Sequence, residues 1–210
     1  MSDYNHVIWD FNGTLMMDAW LCIDVMNEML SRRGLKTLSP QHYAEIFDFP
    51  VEDYYKRAGW DSKMYPFNML SDEFMAGYHE RKLECKLRPE AVSVLGQLHS
   101  RDIPQSVLSA SQLSMVEELL DHYEVAPYFD SVNALDNHHA AGKLDIGLKW
   151  IEESSLDPEK VLLVGDTTHD YEVAIAMGVD CVLVFSGHQS HDKLMTAGVQ
   201  VVDHLDQIKF

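Results

Sequence analysis

Cysteine is scarce in this sequence, and long apolar runs are missing from it. The three cysteines, Cys22, Cys85 and Cys181, are odd in number, far apart and never spaced as Cys-x-x-Cys. They argue against a disulfide framework or a structural zinc site and for a reducing compartment. No run approaches the roughly 18 to 20 apolar residues of a membrane span. The polar start, Met1 to His6, lacks the basic and apolar parts of a secretory signal. We therefore expect a cytoplasmic protein without a membrane partner.

Positive charge is also scarce. The 210 residues include 16 Lys and Arg against 34 Asp and Glu, a formal net charge of −18. A field of that sign disfavours nucleic acid and anionic membranes as partners. It also repels any small anion, so an anion site in this protein needs local help from a metal ion, a lysine or backbone N–H groups.

The rest of the composition is typical of a globular protein, with 46% hydrophobic and 24% charged residues. From residue 88 onward, predicted strands alternate with predicted helices, which is typical of a parallel sheet covered on both faces. Together with a first buried strand near the start, the predicted strands span residues 6–10, 105–108, 129–133, 161–164, 181–185 and 199–202. The fold class is therefore α/β, with a Rossmann-like core.

Between the first strand and the rest lies a block that is predicted to be entirely helical. Its helices begin near Asp18, Pro40, Val51 and Tyr65, and Asp18 is expected to cap the first of them. We predict that residues 1–15 and 88–210 form the core and that residues 16–87 are an inserted helical domain. The insertion follows the first strand directly, so it should lie over the carboxyl end of that strand.

Four short segments place chemically useful residues at strand ends or in the neighbouring loops, where open α/β sheets bind their ligands. They are Asp10-Phe11-Asn12-Gly13-Thr14, Ser109, Gly142-Lys143 and Gly165-Asp166-Thr167-Thr168-His169-Asp170. In this order they resemble the haloacid dehalogenase superfamily, whose first segment usually contains Asp-x-Asp-Gly-Thr. The resemblance covers essentially the whole chain, because residues 16–87 are similar to the helical cap domain of the phosphoglycolate phosphatase-like branch.

The resemblance implies a magnesium-dependent hydrolase that removes phosphate from a small phosphorylated metabolite through an aspartyl-phosphate on Asp10. Magnesium prefers oxygen ligands from one or two carboxylates, and Asp10 and Asp166 are expected to end neighbouring strands. The implied sites are listed by role: metal ligands Asp10, Asp166, Asp170 and the backbone carbonyl of Asn12; phosphate-binding residues Gly13, Thr14, Ser109, Ala110 and Lys143; catalytic residues Asp10, Asn12 and Lys143.

Asn12 departs from the family pattern, because the residue that usually stands there is the general acid and base. An amide cannot protonate a leaving alcohol or activate water, and this help is worth about 10²- to 10⁴-fold in rate. A backbone ligand is indifferent to the change, so the metal site should survive it. Activity could persist on esters with good leaving groups, such as acyl or aryl phosphates, and His169 is a possible substitute base.

Two other functions remain open at this point. One is a slower phosphoaspartyl enzyme, such as a phosphotransferase or a C–P or C–halogen hydrolase. The other is a non-catalytic protein that binds a phosphorylated ligand, although such a binder has no need of a nucleophile.

Several residues also have simpler structural interpretations. Asp170 and Ser111 could cap helices, Lys143 could be a surface lysine with Lys149 or Lys160 in its place, and His138-His139 is better explained as a solvated loop than as a metal pair. The aromatic residues around Phe47, Tyr54 and Tyr55 could contact substrate or simply pack within the insertion.

Overall fold

The computed structural model of this protein describes residues 4–135, 142–185 and 187–210. Its centre is a six-stranded sheet with the order β5-β4-β1-β6-β7-β8, in which every neighbouring pair is parallel. The strands are β1 His6–Trp9, β4 Gln105–Gln112, β5 Ser131–Leu135, β6 Val161–Gly165, β7 Asp180–Val184 and β8 Gln200–Val202. The predicted parallel sheet is confirmed.

The two central strands, β1 and β6, consist of fully buried residues, as expected for strands covered on both faces. They pair in register from His6 opposite Val161 to Trp9 opposite Val164. The backbone N–H of Asp10 then donates to the Val164 carbonyl, 2.9 Å away. Asp10 and Asp166 therefore leave the sheet side by side, at the carboxyl ends of adjacent strands.

In the parts of the chain that the structure describes, five helices cover this sheet, and successive residues of β1 point to opposite faces of it. Val7 and Trp9 join the larger apolar cluster, whereas Ile8 joins a smaller one on the other face. The covering helices are α5 Ala91–Ser100, α6 Leu113–His122, α7 Lys143–Glu153, α8 Thr168–Met177 and α9 His191–Met195. Within the described residues, no helix is long and apolar enough to cross a membrane.

The segment between β1 and α5 is helical, as the sequence predicts. Its four helices are α1 Ala19–Arg32, α2 Pro40–Ile46, α3 Val51–Arg57 and α4 Phe67–Arg81. A short antiparallel ribbon, which the sequence did not indicate, joins its two ends: β2, Met16–Met17, pairs with β3, Lys86–Leu87. The ribbon brings both ends of the helical insertion to one place beside the end of β1.

Two predicted helix caps are wrong. Asp18 occupies the N-cap position of α1 but makes no capping hydrogen bond, because its carboxylate is engaged elsewhere. Ser111 lies inside β4, which extends to Gln112 rather than ending at Leu108, and its hydroxyl also points to another partner. That partner, Asn12, connects both residues to the site described next.

Candidate active site

Asp10 and Lys143 meet at the carboxyl edge of the sheet, although they are 133 residues apart in the chain. The Lys143 ammonium lies 2.6 Å from Asp10 Oδ1 and 2.5 Å from Asp170 Oδ1, and all three side chains are buried. Lys143 is the first residue of α7, so the helix start delivers it inward rather than to the surface. Lys149, in contrast, is exposed on the same helix.

Asp170 caps a helix, one of the two roles that the sequence left open, and it also holds Lys143. Its Oδ2 accepts hydrogen bonds from the backbone and hydroxyl of Thr167, forming a capping box at the start of α8. Its Oδ1 holds Lys143. The Lys143 ammonium against Oδ1 would repel a metal ion there, and Oδ2 accepts three hydrogen bonds from Asp166 and Thr167, so these contacts favour orienting the lysine as the role of Asp170.

Asp166 is held by groups from two other loops. Its Oδ1 accepts from the Thr14 hydroxyl at 3.1 Å, and its Oδ2 accepts from the backbone N–H of His188 at 2.6 Å. Gly13 lies so close that a Cβ built on it would overlap the Asp166 carboxylate, and its φ is +81°. A glycine is therefore required at position 13 for two reasons, a left-handed backbone and the lack of space.

We expect Gly13→Ala to lower the free energy of unfolding by about 2 kcal/mol or more, because strained backbone costs about 1 to 3 kcal/mol and the overlap adds to it. Gly34→Ala is the matched control, since Gly34 has φ +67° but no atom within 4 Å of the added Cβ. Chemical denaturation of both variants separates crowding from backbone strain. Equal losses in the two variants would contradict the proposed crowding against Asp166.

The buried carboxylates at this edge outnumber the cations. Burial raises the pKa of Asp10 to about 7, although Lys143 opposes the shift, and burial likewise raises the pKa of Asp166 to about 6. Burial would also raise the pKa of Asp170, but Lys143 outweighs it and keeps this pKa below its usual range. Within the described part of the chain, Lys143 is thus the one lysine beside the three buried carboxylates Asp10, Asp166 and Asp170, and it pairs directly with two of them.

This imbalance fits a divalent cation. Asp10 Oδ2 is buried and has no hydrogen-bond partner among the described residues, which is costly for a carboxylate oxygen unless another positive group faces it. The neighbouring donors are also oxygens, which suit magnesium rather than a soft metal. Asp10 and Asp166 are the carboxylates best able to bind such an ion.

Asn12 is fixed by three hydrogen bonds. Its Nδ2 donates to Asp18 Oδ2 at 2.8 Å and to the Tyr78 hydroxyl at 2.9 Å, and its Oδ1 accepts from the Ser111 hydroxyl at 2.8 Å. Tyr78 donates in turn to Asp18 Oδ2 at 2.6 Å. The amide is therefore a connecting group between the sheet edge and helices α1 and α4, a role that needs its two donors and one acceptor.

His188 is a site residue that our sequence analysis missed. Its Nε2 lies 3.3 Å from Asp18 Oδ1, and its Nδ1 lies 2.7 Å from the Tyr43 hydroxyl. Burial by itself would lower the pKa of His188, but Asp18 and the nearby Asp166 and Asp10 raise it to about 9, so the ring is a cation at neutral pH. The available signal was its place beyond the carboxyl end of β7, next to the strand that carries Asp166.

A second group of potential metal ligands lies beside this pair, but it does not resemble a working metal site. Ligand atoms of Asp18, Cys22 and His188 all lie within 4.8 Å of one another. Burial raises the pKa of the Cys22 thiol well above its usual range, so the thiolate that a metal would need is disfavoured. Asp18 and a protonated His188 already neutralise each other.

A cavity of about 380 Å³ opens at this edge of the sheet. Asp10, Asn12, Ser109, Ala110 and Lys143 line it from the sheet side, together with Asp166, His169 and Asp170. Gly13 and Thr14 are not among the lining residues: the Gly13 N–H donates to the Met16 carbonyl and the Thr14 hydroxyl donates to Asp166. Both residues lie against Asp166, and their contacts with phosphate stay a prediction.

The other wall of the cavity comes from the helical insertion and is mainly aromatic. Phe47 and Phe49 precede α3, and Tyr54 and Tyr55 lie within it; their rings are packed edge-on, and Phe49 stacks on His169 with 4.6 Å between centroids. The same rings line the cavity, so packing and ligand contact are not alternatives here. His138 and His139 lie outside the described residues.

One protein-family model matches most of the chain. The family model of haloacid dehalogenase-like hydrolases matches residues 7–184, which include all four segments identified from the sequence. The chain belongs to the haloacid dehalogenase-like hydrolase family. The protein is therefore a hydrolase of this family, which confirms the resemblance seen in the four sequence segments.

Curated relatives and solved structures support the same family. A phosphoglycolate phosphatase of Synechococcus elongatus is 24% identical over 199 residues, covering 91% of this chain and 88% of the relative. A tyrosine-protein kinase, PtkA, of Mycobacterium tuberculosis is 24% identical over 201 residues, covering 94% of this chain and 68% of the relative. A haloacid dehalogenase-like hydrolase of Streptococcus pneumoniae has the same fold, with a TM-score of 0.80, 18% identity and coverage of 96% and 94% of the two chains.

Proposed function

We propose that this member of the family is a magnesium-dependent phosphatase that removes phosphate from a small ester through a covalent phosphate on Asp10. The observation that carries the proposal is the state of the Asp10 carboxylate. Lys143 holds Oδ1, whereas Oδ2 is buried without a partner among the described residues, in a side chain that lines the cavity. Lys143 thus orients the carboxylate, and the unpaired Oδ2 is the oxygen that a metal ion would complete, an arrangement that suits a carboxylate nucleophile acting on phosphate.

The other residues of the cavity fit supporting roles in the same reaction. Asp10 attacks the phosphorus atom, and the bond from phosphorus to the leaving oxygen breaks. Lys143 lowers the negative charge at Asp10 and, with Ser109 and the backbone at Ala110, faces the phosphoryl oxygens. Asp170 acts through Lys143 as a positioning residue. Water then attacks phosphorus, releases phosphate and regenerates Asp10.

Magnesium would be held by Asp10, Asp166 and the backbone carbonyl of Asn12. When bound, it supplies positive charge that allows a carboxylate to approach a phosphate dianion. That need is acute in a chain with a net charge of −18. Replacement of the Asn12 side chain leaves a backbone ligand unchanged, so the proposal tolerates the missing second aspartate.

Residues 16–87 would act as a cap over this site. The polar contacts between the insertion and the core support the proposal: the Gln189 and Lys193 side chains both donate to the Phe47 carbonyl, and the Ser190 N–H donates to the Ala44 carbonyl. A cap that excludes water favours small substrates over folded proteins.

A second candidate, a phosphotransferase, is favoured by the fixed state of Asn12. Because the amide cannot activate water, a covalent phosphate on Asp10 would persist and could pass to another acceptor. The phosphatase and the transferase differ only in this second step. Product analysis with an added alcohol, such as glycerol, separates them: a phosphatase yields inorganic phosphate, whereas a transferase yields glycerol phosphate.

The direct test is phosphate release from a panel of phosphomonoesters and acyl phosphates with and without magnesium. We expect turnover that requires the metal and is absent after chelation. Binding of the same esters without turnover under any condition would instead favour a non-catalytic phospho-ligand protein.

Magnesium binding can also be followed without activity. We expect magnesium at 100 times its dissociation constant to stabilise the protein by about 2.7 kcal/mol, equivalent to about 5 to 10 °C in Tm for a chain of this size. The shift should be larger at pH 8 than at pH 5.5, since protons compete with the metal for Asp10 and Asp166, whose pKa values are about 7 and 6. Asp166→Asn should abolish it. A shift independent of both pH and Asp166 would contradict the proposed ligands.

A further inference from the structure

The part of the cavity beyond the phosphate end is apolar and aromatic. Phe47, Tyr54, Tyr55, Phe67 and Phe74 form a chain of four edge-to-face ring contacts along it. At about 380 Å³ the cavity has the size of a small-molecule site. Such a wall binds a flat aromatic group most favourably, because aromatic rings stack on one another or pack edge-to-face.

The same part of the cavity has no cation available for a negatively charged leaving group. Of the lining residues that the structure describes, none is arginine and Lys143 is the one lysine, already paired with Asp10 and Asp170. His188 is paired with Asp18 at the sheet end, and His169 lies 3.1 Å from the Glu172 carboxylate. Burial and the neighbouring Lys82 lower the pKa of His79, so this ring is neutral near pH 7. A carboxylated leaving group would therefore be buried without a counter-charge.

Asn12 restricts the leaving group independently. The amide has no proton to give, and its hydrogens are already donated to Asp18 and Tyr78. His169, the substitute that the sequence offered, is held by Glu172 at Nδ1 and by stacking on Phe49 rather than by any contact with Asn12. Without a proton from position 12, the leaving oxygen departs as an anion. A phenol ionises near pH 10, as the tyrosine side chain does, whereas the pKa of an alkyl alcohol, like that of water, is far higher. Only the phenol type leaves readily without protonation.

Tyr54 adds a polar feature to the aromatic wall. The side chain lines the cavity, is 2% exposed, and its hydroxyl has no hydrogen-bond partner within the described parts of the chain. Burial raises the pKa of this hydroxyl well above its usual range, so it remains neutral. A buried hydroxyl left without a partner indicates a ligand atom that completes it.

From these observations we infer that the substrates are aryl phosphates, monoesters of an uncharged phenol whose ring carries a polar substituent within reach of Tyr54. This inference rests on the proposed function and specifies its substrate class. Asp10 bonds to phosphorus while the aryl oxygen leaves with the bonding electrons, and the phenolate takes a proton from water. Hydrolysis of the covalent phosphate consumes one water, so the products are one phenol and one inorganic phosphate.

The test compares kcat/KM for phenyl phosphate, benzyl phosphate, cyclohexyl phosphate and phosphoglycolate with magnesium present. Benzyl phosphate keeps the aromatic ring but has an alkyl-type leaving group. Cyclohexyl phosphate has a similar size but neither an aromatic ring nor a phenol-type leaving group. We expect phenyl phosphate to exceed each of the others by about 100-fold or more, the size of the missing acid catalysis. A value for phosphoglycolate equal to or above that of phenyl phosphate would overturn the inference and leave the proposed function intact. Phosphate release from none of the esters would overturn both.

Two variants test the cavity itself. Ser71→Lys adds the missing cation at a half-buried lining position on α4, and we expect it to raise the ratio of phosphoglycolate to phenyl phosphate kcat/KM about tenfold. For 2-, 3- and 4-hydroxyphenyl phosphate, Tyr54→Phe should lower the ratio of the best kcat/KM among the three to that of phenyl phosphate about 3- to 10-fold. A folded Ser71→Lys protein with an unaltered ratio, or a Tyr54→Phe protein that discriminates as the parent does, would show that the leaving group lies elsewhere.

Discussion

Asp10→Asn is expected to lower kcat/KM for every phosphate ester by about 10⁴-fold or more, because loss of a nucleophile removes the covalent route altogether. The substituted side chain keeps the shape of aspartate, and its amide oxygen can still accept from Lys143, which lies 2.6 Å from Oδ1 in the parent. Loss of activity would therefore report on chemistry rather than on the local fold.

Stability provides the control for this variant. Burial raises the pKa of Asp10 to about 7, which means that the ionised carboxylate is unfavourable where it stands. In metal-free protein above this pH we expect Asp10→Asn to unfold at an equal or higher temperature than the parent. Covalent labelling by a radioactive ester should vanish at the same time. Undiminished phosphate release from the stable variant would refute the aspartyl-phosphate mechanism.

Exchanging the residues at positions 12 and 18 should increase turnover of alkyl phosphates by about 10²- to 10⁴-fold, the range for general acid–base help. The double variant Asn12→Asp/Asp18→Asn keeps one carboxylate and one amide in the contact that joins them at 2.8 Å in the parent. It therefore preserves net charge and places the carboxylate where most of the family has one. The single change Asn12→Asp instead sets two carboxylates against each other, so that the pair must share a proton.

The Asn12→Asp/Asp18→Asn exchange should also change the time course of phenol release from an aryl phosphate. In the parent, both leaving-group departure and attack by water lack a proton-transfer partner at Asn12. With a phenol as leaving group the first step is fast, so we expect a burst of one phenol per protein followed by slow turnover. The double variant should lose the burst because water attack accelerates.

Asp18→Asn alone is the matched control for this prediction. It removes the carboxylate that lies 3.3 Å from His188 and adds no acid at position 12. We expect it to show no gain with alkyl phosphates and to keep the burst. A folded double variant with the slow rate and burst of the parent would mean that position 12 does not limit turnover.

Much of the core was predictable because buried strands and strand ends leave strong local signals. The run from Val161 to Val164 is apolar without alternation, which is typical of a strand covered on both faces. The predicted ends were less accurate, as for β4, which continues through Ser109 and Ser111 to Gln112. The polar residues at the end of that strand have no periodic pattern, so the sequence predicts a strand that is four residues too short.

The sequence by itself determined the order of strands and helices along the chain, the helical insertion, and the location of Asp10 and Asp166 at the carboxyl ends of strands. These features depend on local periodicity and on the rule that parallel strands share a carboxyl edge. It also showed that Asn12 is not an acid. Each of these conclusions needs only neighbouring residues or the general topology of an α/β sheet.

Only the tertiary structure decided what surrounds Asn12. Its partners Tyr78 and Ser111 lie 66 and 99 residues away, and His188 reaches Asp18 from beyond the end of β7. Sequence periodicity indicates which face of a helix is buried but not which polar atom it meets across another element. The packing of α1 and α4 over the sheet edge sets those distances, and with them the aromatic cavity to which Tyr54 contributes its buried hydroxyl.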